Sequence, residues 1–255
     1  MSIVKSTGLE QRHRIEEEFH DQKAREGQED FYSFGALAAA DSFALAALGN
    51  LHDRRLLEIG CGDGTTSVRF AKAGAWVTSI DISGEMIQLL REKAIREGVR
   101  EKITAIHVGG ETLDFPDESF DLIYGHSILH HLDLARVGSK LAGMLRAGGK
   151  AVFLEPLDYN PFLKLFRLLT PARRTPTEKP LTFRDISALA AHFSSWEHEE
   201  FYLFSLMAFF WYYGYRSETL FRRTQQALLR LDQAAFTTIP ALRRQAWVTV
   251  LELRK

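Results

Sequence analysis

The chain has 255 residues, 32 Lys+Arg against 33 Asp+Glu, a formal net charge of −1 and 45% hydrophobic residues. That balance excludes a strongly basic nucleic-acid binder and an acidic disordered tail, and the length suits one large domain rather than two full ones. A single cysteine, Cys61, excludes an internal disulfide framework and a thiolate zinc cluster.

The first residues, MSIVKSTGLEQRHR, lack the apolar run of a signal peptide, which points to a cytoplasmic home. Residues 9–27 read as a solvated helix with Ile15 and Phe19 on a narrow apolar stripe. Residues 36–48 read as a second, Ala-rich helix stopped by Gly49. From Arg55 the pattern changes to strand–helix alternation: LLEI (56–59), a helix closed by Gly74, AWVTSID (75–81), then Ser83 as the cap of another helix. KITAIHV (102–108), FDLIYG (120–125), a helix near 133–146 and GKAVFLE (149–155) follow. Short apolar strands separated by helices predict βαβ units and a mostly parallel sheet.

After Glu155 the alternation breaks, and residues 156–180 hold five of the seven prolines, which reads as an irregular excursion. Residues 182–193 read as a helix capped by Thr182. Two strand candidates follow, 196–204 and 245–253, with a largely helical interval between them that reads as an inserted cap. Of the 29 aromatic residues, 11 lie between Trp196 and Phe221. The longest stretch free of charge and histidine, 201–215, is shorter than the roughly 20 residues a spanning helix needs.

The first strand runs into Glu58-Ile59-Gly60-Cys61-Gly62-Asp63-Gly64, and the second ends in Asp81. Glycines 60, 62 and 64 permit a sharp turn and a close approach of backbone to a ligand, and a carboxylate at the next strand end is placed to accept both ribose hydroxyls. A dinucleotide fingerprint needs a third glycine at position 65, where Thr65 stands, which argues against a nicotinamide-dependent oxidoreductase. The E-x-G-x-G-x-G pattern resembles the first motif of class I S-adenosylmethionine-dependent methyltransferases. The resemblance continues in IDIS (80–83), LDFPDESFDLIYGHSILHHL (113–132) and LRAGGKAVFLEP (145–156), and covers about residues 55–155.

The resemblance implies a Rossmann-like, doubly wound, mostly parallel seven-stranded sheet with an antiparallel last strand. Residues 1–50 would form a helical lid, 51–155 the cofactor-binding core, and 156–255 the cap insertions and the completion of the sheet. S-adenosyl-L-methionine is the implied cofactor. Glu58 would orient its methionine amino group, Gly60, Cys61, Gly62 and Gly64 would approach it by backbone, and Asp81 would hold the ribose. Ile82 and Met86 would flank the adenine, and His126 would lie beside the methionine arm. The acid that the family often uses for the adenine amino group is missing at Gly109, so Glu111, or the backbone of Gly110 to Thr112, would take its place.

Methyl transfer from a sulfonium needs alignment and exclusion of water, and a general base only where the acceptor must lose a proton. His130, His131 and Glu155 are the candidate catalytic groups, against a structural role for the histidines. No metal is indicated by sequence spacing, since His130, His131 and Asp133 lack a further ligand nearby. Tyr32, Asp158, Phe162, Phe166, Phe209 and Tyr213 are the candidate acceptor-binding residues. Arg173 and Arg174 are candidates for an anionic group on the acceptor, against solvated surface.

The aromatic segment has three readings: an apolar acceptor pocket, a homodimer or peripheral-membrane face, or plain cap core. The leading expectation is methylation of oxygen or carbon on a small, largely apolar metabolite. The alternatives are a non-catalytic nucleoside-binding module with a protein-binding cap, and a methyltransferase acting on a lipid-like acceptor. No nucleic-acid partner is expected, because residues 155–255 carry 14 basic and 10 acidic side chains without a basic stripe.

Overall fold

The computed structural model describes residues 8–26, 35–170, 175 and 177–255. Seven strands form one sheet: β1 (Arg55–Ile59), β2 (Trp76–Asp81), β3 (Ile103–His107), β4 (Phe120–His126), β5 (Leu145–Pro156), β6 (Ser195–Phe201) and β7 (Val248–Arg254). Their order is β3-β2-β1-β4-β5-β7-β6. The first five pair in parallel, and β7 lies antiparallel between β5 and β6. The sheet is therefore the Rossmann-like one expected from the sequence. Strand order reverses between β1 and β4, and in open α/β sheets the crevice at that switch point receives ligands.

Alternate side chains of a strand point to opposite faces, and both faces of this sheet are buried. Leu57, Ile123, Phe153 and Leu251 pack with Val137 and Leu141 of α5 (Leu134–Met144) and with Ile186 and Leu189 of α7 (Phe183–Ala190). On the other face Leu56, Leu122, Val152 and Val250 meet Ala40, Ala44 and Leu48 of α2 (Ala38–Leu48) and Phe70 of α3 (Thr65–Lys72). Each such Leu or Phe contributes roughly 1.5–3 kcal/mol by leaving water.

Local signals set the helix starts. The Ser83 hydroxyl accepts from the Met86 amide at the start of α4 (Gly84–Arg96), and Thr182 and Asp185 form a reciprocal capping box on α7. The excursion after β5 is more regular than its prolines predict. Pro161 occupies the first turn of α6 (Pro161–Leu169), where no amide is needed, and Asn160 caps it.

The long N-terminal helix α1 (Gly8–Glu26) packs on α4. Beyond β6, α8 (Phe209–Tyr215) and α9 (Glu218–Thr238) pack on each other and cover Ala36, just before α2. Tyr202 is fully buried there, and its hydroxyl accepts from the amides of Ala39 and Ala40 at 3.1 and 3.2 Å. Asp232 of α9 accepts from the amides of Leu203 and Phe204 and from the Ser205 hydroxyl. No helix among the described residues is long and apolar enough to cross a membrane.

Candidate functional site

The turn after β1 is built by its glycines. The amides of Gly60 and Cys61 both donate to the Ile80 carbonyl, at 2.9 and 3.0 Å, which ties the turn to β2. Gly62 and Gly64 both have positive φ, 51° and 77°. A β-carbon on Gly64 would fall 2.9 Å from the Leu90 backbone, whereas one on Gly62 would meet nothing within 4 Å. Gly64 is thus required by packing, while Gly62 borders open space at the carboxyl ends of β1 and β2.

Asp81 lies beside Gly62 with its carboxylate already fixed. One oxygen accepts from the Gly62 amide and the other from the Ser83 amide, both at 2.9 Å. Burial raises the pKa of its carboxyl, against these amide bonds and the charges of His20 and His107. A carboxylate has about four acceptor sites, so each oxygen keeps one for a diol hydroxyl. The cradle at Gly62 and the oriented carboxylate fit the ribose of the expected cofactor.

The other expected cofactor residues divide. Ile82 and Met86 are half-buried at the start of α4. Cys61 is buried against Ile87 and Leu90, and burial raises its thiol well above the usual range, so it is a packing residue rather than a nucleophile. Glu58 lies fully buried, its Oε2 accepting from Ser67 of α3 and from Ser79 of β2, the latter at 3.2 Å. Burial pushes its carboxyl up to about 7, against those two hydroxyls. His126 is half-buried, with Nδ1 3.8 Å from Asp41 of α2, whose own carboxyl is raised by burial against the attraction of His126 and Arg69.

Glu111 corrects an expectation. Gly110 is buried and the Thr112 hydroxyl donates to the Gly109 carbonyl, but both carboxylate oxygens of Glu111 are taken. Arg12 and the Asp133 amide donate to one, and His13 lies 2.9 Å from the other. The carboxylate anchors α1 to the core, and with its side chain only 2% exposed it is closed to an adenine amino group.

Glu155 corrects another. It is fully buried at the end of β5, and one oxygen accepts from the amides of Ile128 and Leu129 at 2.8 and 2.7 Å. Its other oxygen lies 2.7 Å from His130 Nδ1. Glu155 holds the 3-10 turn Leu129–His131 in place and has no reach toward an acceptor. The His130 ring is buried, and burial and the neighbouring His131 lower its pKa, against Glu155. The tautomer with Nδ1–H toward Glu155 leaves Nε2 as the lone-pair atom.

Residues far away in the sequence complete this edge. Glu16 of α1 is buried, with Thr175 and Thr177 donating to its Oε1. Its Oε2 lies 3.1 Å from His131 Nδ1 and 3.7 Å from His20 Nε2. Burial alone would raise Glu16, but His131, His20 and Thr177 outweigh it and hold it well below the usual carboxylate range. Burial alone would lower His131, and Glu16 instead raises it. The Glu16–His20 spacing of four on one helix face was the sequence signal for this cluster, and the fold also brings Glu178 close to His130 and His131. Asp21 accepts from the Ser83 hydroxyl at 2.5 Å, so α1 lies over the start of α4.

The acceptor-binding candidates are not gathered together. Phe162 is 78% exposed, and Phe166 and Tyr213 are also exposed, because α6 turns only Leu163 toward the core and α8 presents one side to solvent. These three do not form the expected pocket wall. Phe209 packs between Phe221 and Trp247, at ring distances of 5.0 and 5.6 Å, as cap core. Asp158 pairs with Lys164 and Arg167 beside α6. Tyr32, Arg173 and Arg174 lie outside the described residues.

Residues 57–153 match the family model described as a methyltransferase domain. The chain is 34% identical over 125 residues to the ubiquinone biosynthesis O-methyltransferase of Aeromonas salmonicida, covering 48% of this chain and 50% of that one. It is 35% identical over 98 residues to the 27-O-demethylrifamycin SV methyltransferase of Amycolatopsis mediterranei, covering 38% of this chain and 36% of that one. The chain thus spans about half or less of these relatives' length. Among solved structures, the fold is similar to geranyl diphosphate C-methyltransferase from Streptomyces coelicolor A3(2), in complex with Mg2+, geranyl-S-thiolodiphosphate and S-adenosyl-L-homocysteine. The TM-score is 0.61 at 14% identity, covering 85% of this chain and 75% of that one.

Proposed function

We propose, for a chain whose core belongs to the class I S-adenosylmethionine-dependent methyltransferases, that it transfers a methyl group from S-adenosylmethionine to an oxygen of a small, largely apolar molecule. The observation that carries the reading is Asp81 held by the Gly62 and Ser83 amides beside the open space at Gly62. The two relatives named above are both methyltransferases of small molecules, and both names specify oxygen.

When bound, S-adenosylmethionine supplies a methyl group already activated by the sulfonium, so the protein's tasks are binding, alignment and exclusion of water. Asp81 would accept from the ribose hydroxyls, and Gly62, open where a β-carbon would stand, would let the backbone approach the methionine arm. The lid helix α1, fixed by Asp21 to Ser83 and by Arg12 and His13 to Glu111, would keep water from the reacting atoms. The turn Leu129–His131, set by Glu155, would form the acceptor side of the site.

Calorimetric titration with S-adenosylhomocysteine tests the reading. One-to-one binding in the micromolar range is expected, and absence of binding below millimolar overturns it. One observation favours a variant reading with a lipid-like acceptor met at a membrane surface. Phe162, Leu168, Leu169, Met207 and Phe210 are all at least 60% exposed, on α6 and on the approach to and start of α8. Co-sedimentation with anionic phospholipid vesicles separates the two, since a purely soluble acceptor predicts no pelleting.

A further inference from the structure

The Glu16 cluster is built like a ligand set rather than a simple ion pair. Glu16 and His20 stand four apart on one face of α1, and His131 approaches from the turn after β4. One donor atom from each of the three lies within 4.8 Å of the others. The Glu16–His131 and Glu16–His20 distances, 3.1 and 3.7 Å, bracket the roughly 3.4 Å edge of a tetrahedron whose arms are about 2.0–2.1 Å.

A second observation concerns orientation. Glu16 is only 4% exposed, yet among the described residues its Oε2 has no aligned hydrogen-bond donor, and neither does His131 Nδ1. The two atoms are close but turned so that neither points along a hydrogen bond to the other. Such an arrangement suits lone pairs that converge on a third centre. The remaining oxygen of Glu16 is held by Thr175 and Thr177, the kind of supporting bond that orients a metal-binding carboxylate.

We propose that Glu16, His20 and His131 bind one divalent transition-metal ion, which clamps the lid helix α1 to the carboxyl edge of the sheet. Two imidazoles and one carboxylate suit zinc, iron(II), cobalt(II) or nickel(II) better than magnesium or calcium, which prefer all-oxygen sets. Three protein donors leave at least one position for water or for an oxygen of a bound molecule. His130, His131 and Glu178 form a second set of donor atoms mutually within 4.8 Å, so a further carboxylate stands beside the site.

The test uses the full chain freed of metal with chelator and titrated with zinc chloride by calorimetry. In parallel, cobalt(II) is followed by its visible absorption. The expected result is one zinc per chain, with the intense visible bands of four- or five-coordinate cobalt, and slower hydrogen exchange in residues 8–26 when metal is present. Glu16→Gln and His20→Ala should each weaken zinc binding by more than the roughly 10- to 100-fold that loss of an indirect supporting group costs. His52→Ala, on the exposed turn before β1, should leave it unchanged. If the wild-type chain gives neither zinc heat nor cobalt bands, or if both variants bind zinc as tightly as the wild type, the proposal fails. The cobalt spectrum and exchange of the wild type decide the matter even if Glu16→Gln fails to fold. S-adenosylhomocysteine binding by the metal-free chain is a separate result and bears only on methyl transfer.

Discussion

The two halves of the sheet's carboxyl edge each bury a carboxylate at a strand end, Asp81 closing β2 and Glu155 at the end of β5. Asp81 takes one backbone amide on each oxygen and borders open space at Gly62. Glu155 spends one oxygen on two amides and the other on His130, within a fully buried pocket. Residue type and place are nearly the same, and the capacity left over differs. A buried carboxylate at a strand end marks a ligand site only where acceptor capacity remains and something can reach it.

Glu155→Ala should strand its amide donors and His130 in a dry interior, a loss of about 3–5 kcal/mol, read as a fall in Tm of roughly 6–20 °C. A near-normal Tm with lost activity would restore Glu155 to the catalytic role that its structure denies it.

On the β1 side Glu58 is a buried carboxyl whose Oε2 accepts from the Ser67 and Ser79 hydroxyls. Its folded pKa of about 7 exceeds its ordinary value of 4.5, so the neutral form is favoured by folding. The stability this gives is full below pH 4.5 and is lost as pH rises through 7. Glu58→Gln removes that titration, so its stability relative to wild type should rise between pH 4.5 and 8, by on the order of 3 kcal/mol. Denaturant unfolding at several pH values checks this, and a difference independent of pH would contradict it.

Asp81→Asn keeps the size and one acceptor oxygen but loses the charge. S-adenosylhomocysteine affinity should fall by about 10- to 100-fold, with a much smaller change in Tm than at Glu155. The smallest effect belongs to the exposed cap. Phe162→Ser and Leu168→Ser should each change stability by less than about 0.5 kcal/mol in thermal melts, since neither side chain is packed.

The β1–β2 half was legible because its chemistry is local. The glycine turn follows a strand directly, Asp81 closes the next one, and Ser83 caps the helix after it. The same logic placed the strands and the cap at Thr182, whereas the antiparallel last strand came from the family resemblance. What escaped depends on distant partners: Arg12 and His13 claim Glu111 from about a hundred residues away, and Thr175 claims Glu16 across 159. Composition shows that residues 196–221 are aromatic, but not which rings face inward. Tyr202 and Phe209 pack on Trp247 just before β7, and Phe209 on Phe221, whereas Phe210, Tyr213 and Tyr215 face out. Pro161 misled for a local reason, because a proline that interrupts a helix elsewhere starts one when it stands in the first turn.

Electron density of crystals grown with S-adenosylhomocysteine tests the role of Asp81. Ribose hydroxyls are expected on both Asp81 oxygens, with the methionine arm along Gly60 to Gly62 and the sulfur facing the turn that Glu155 holds. Density elsewhere on the chain, or a ribose that leaves Asp81 untouched, would contradict that role.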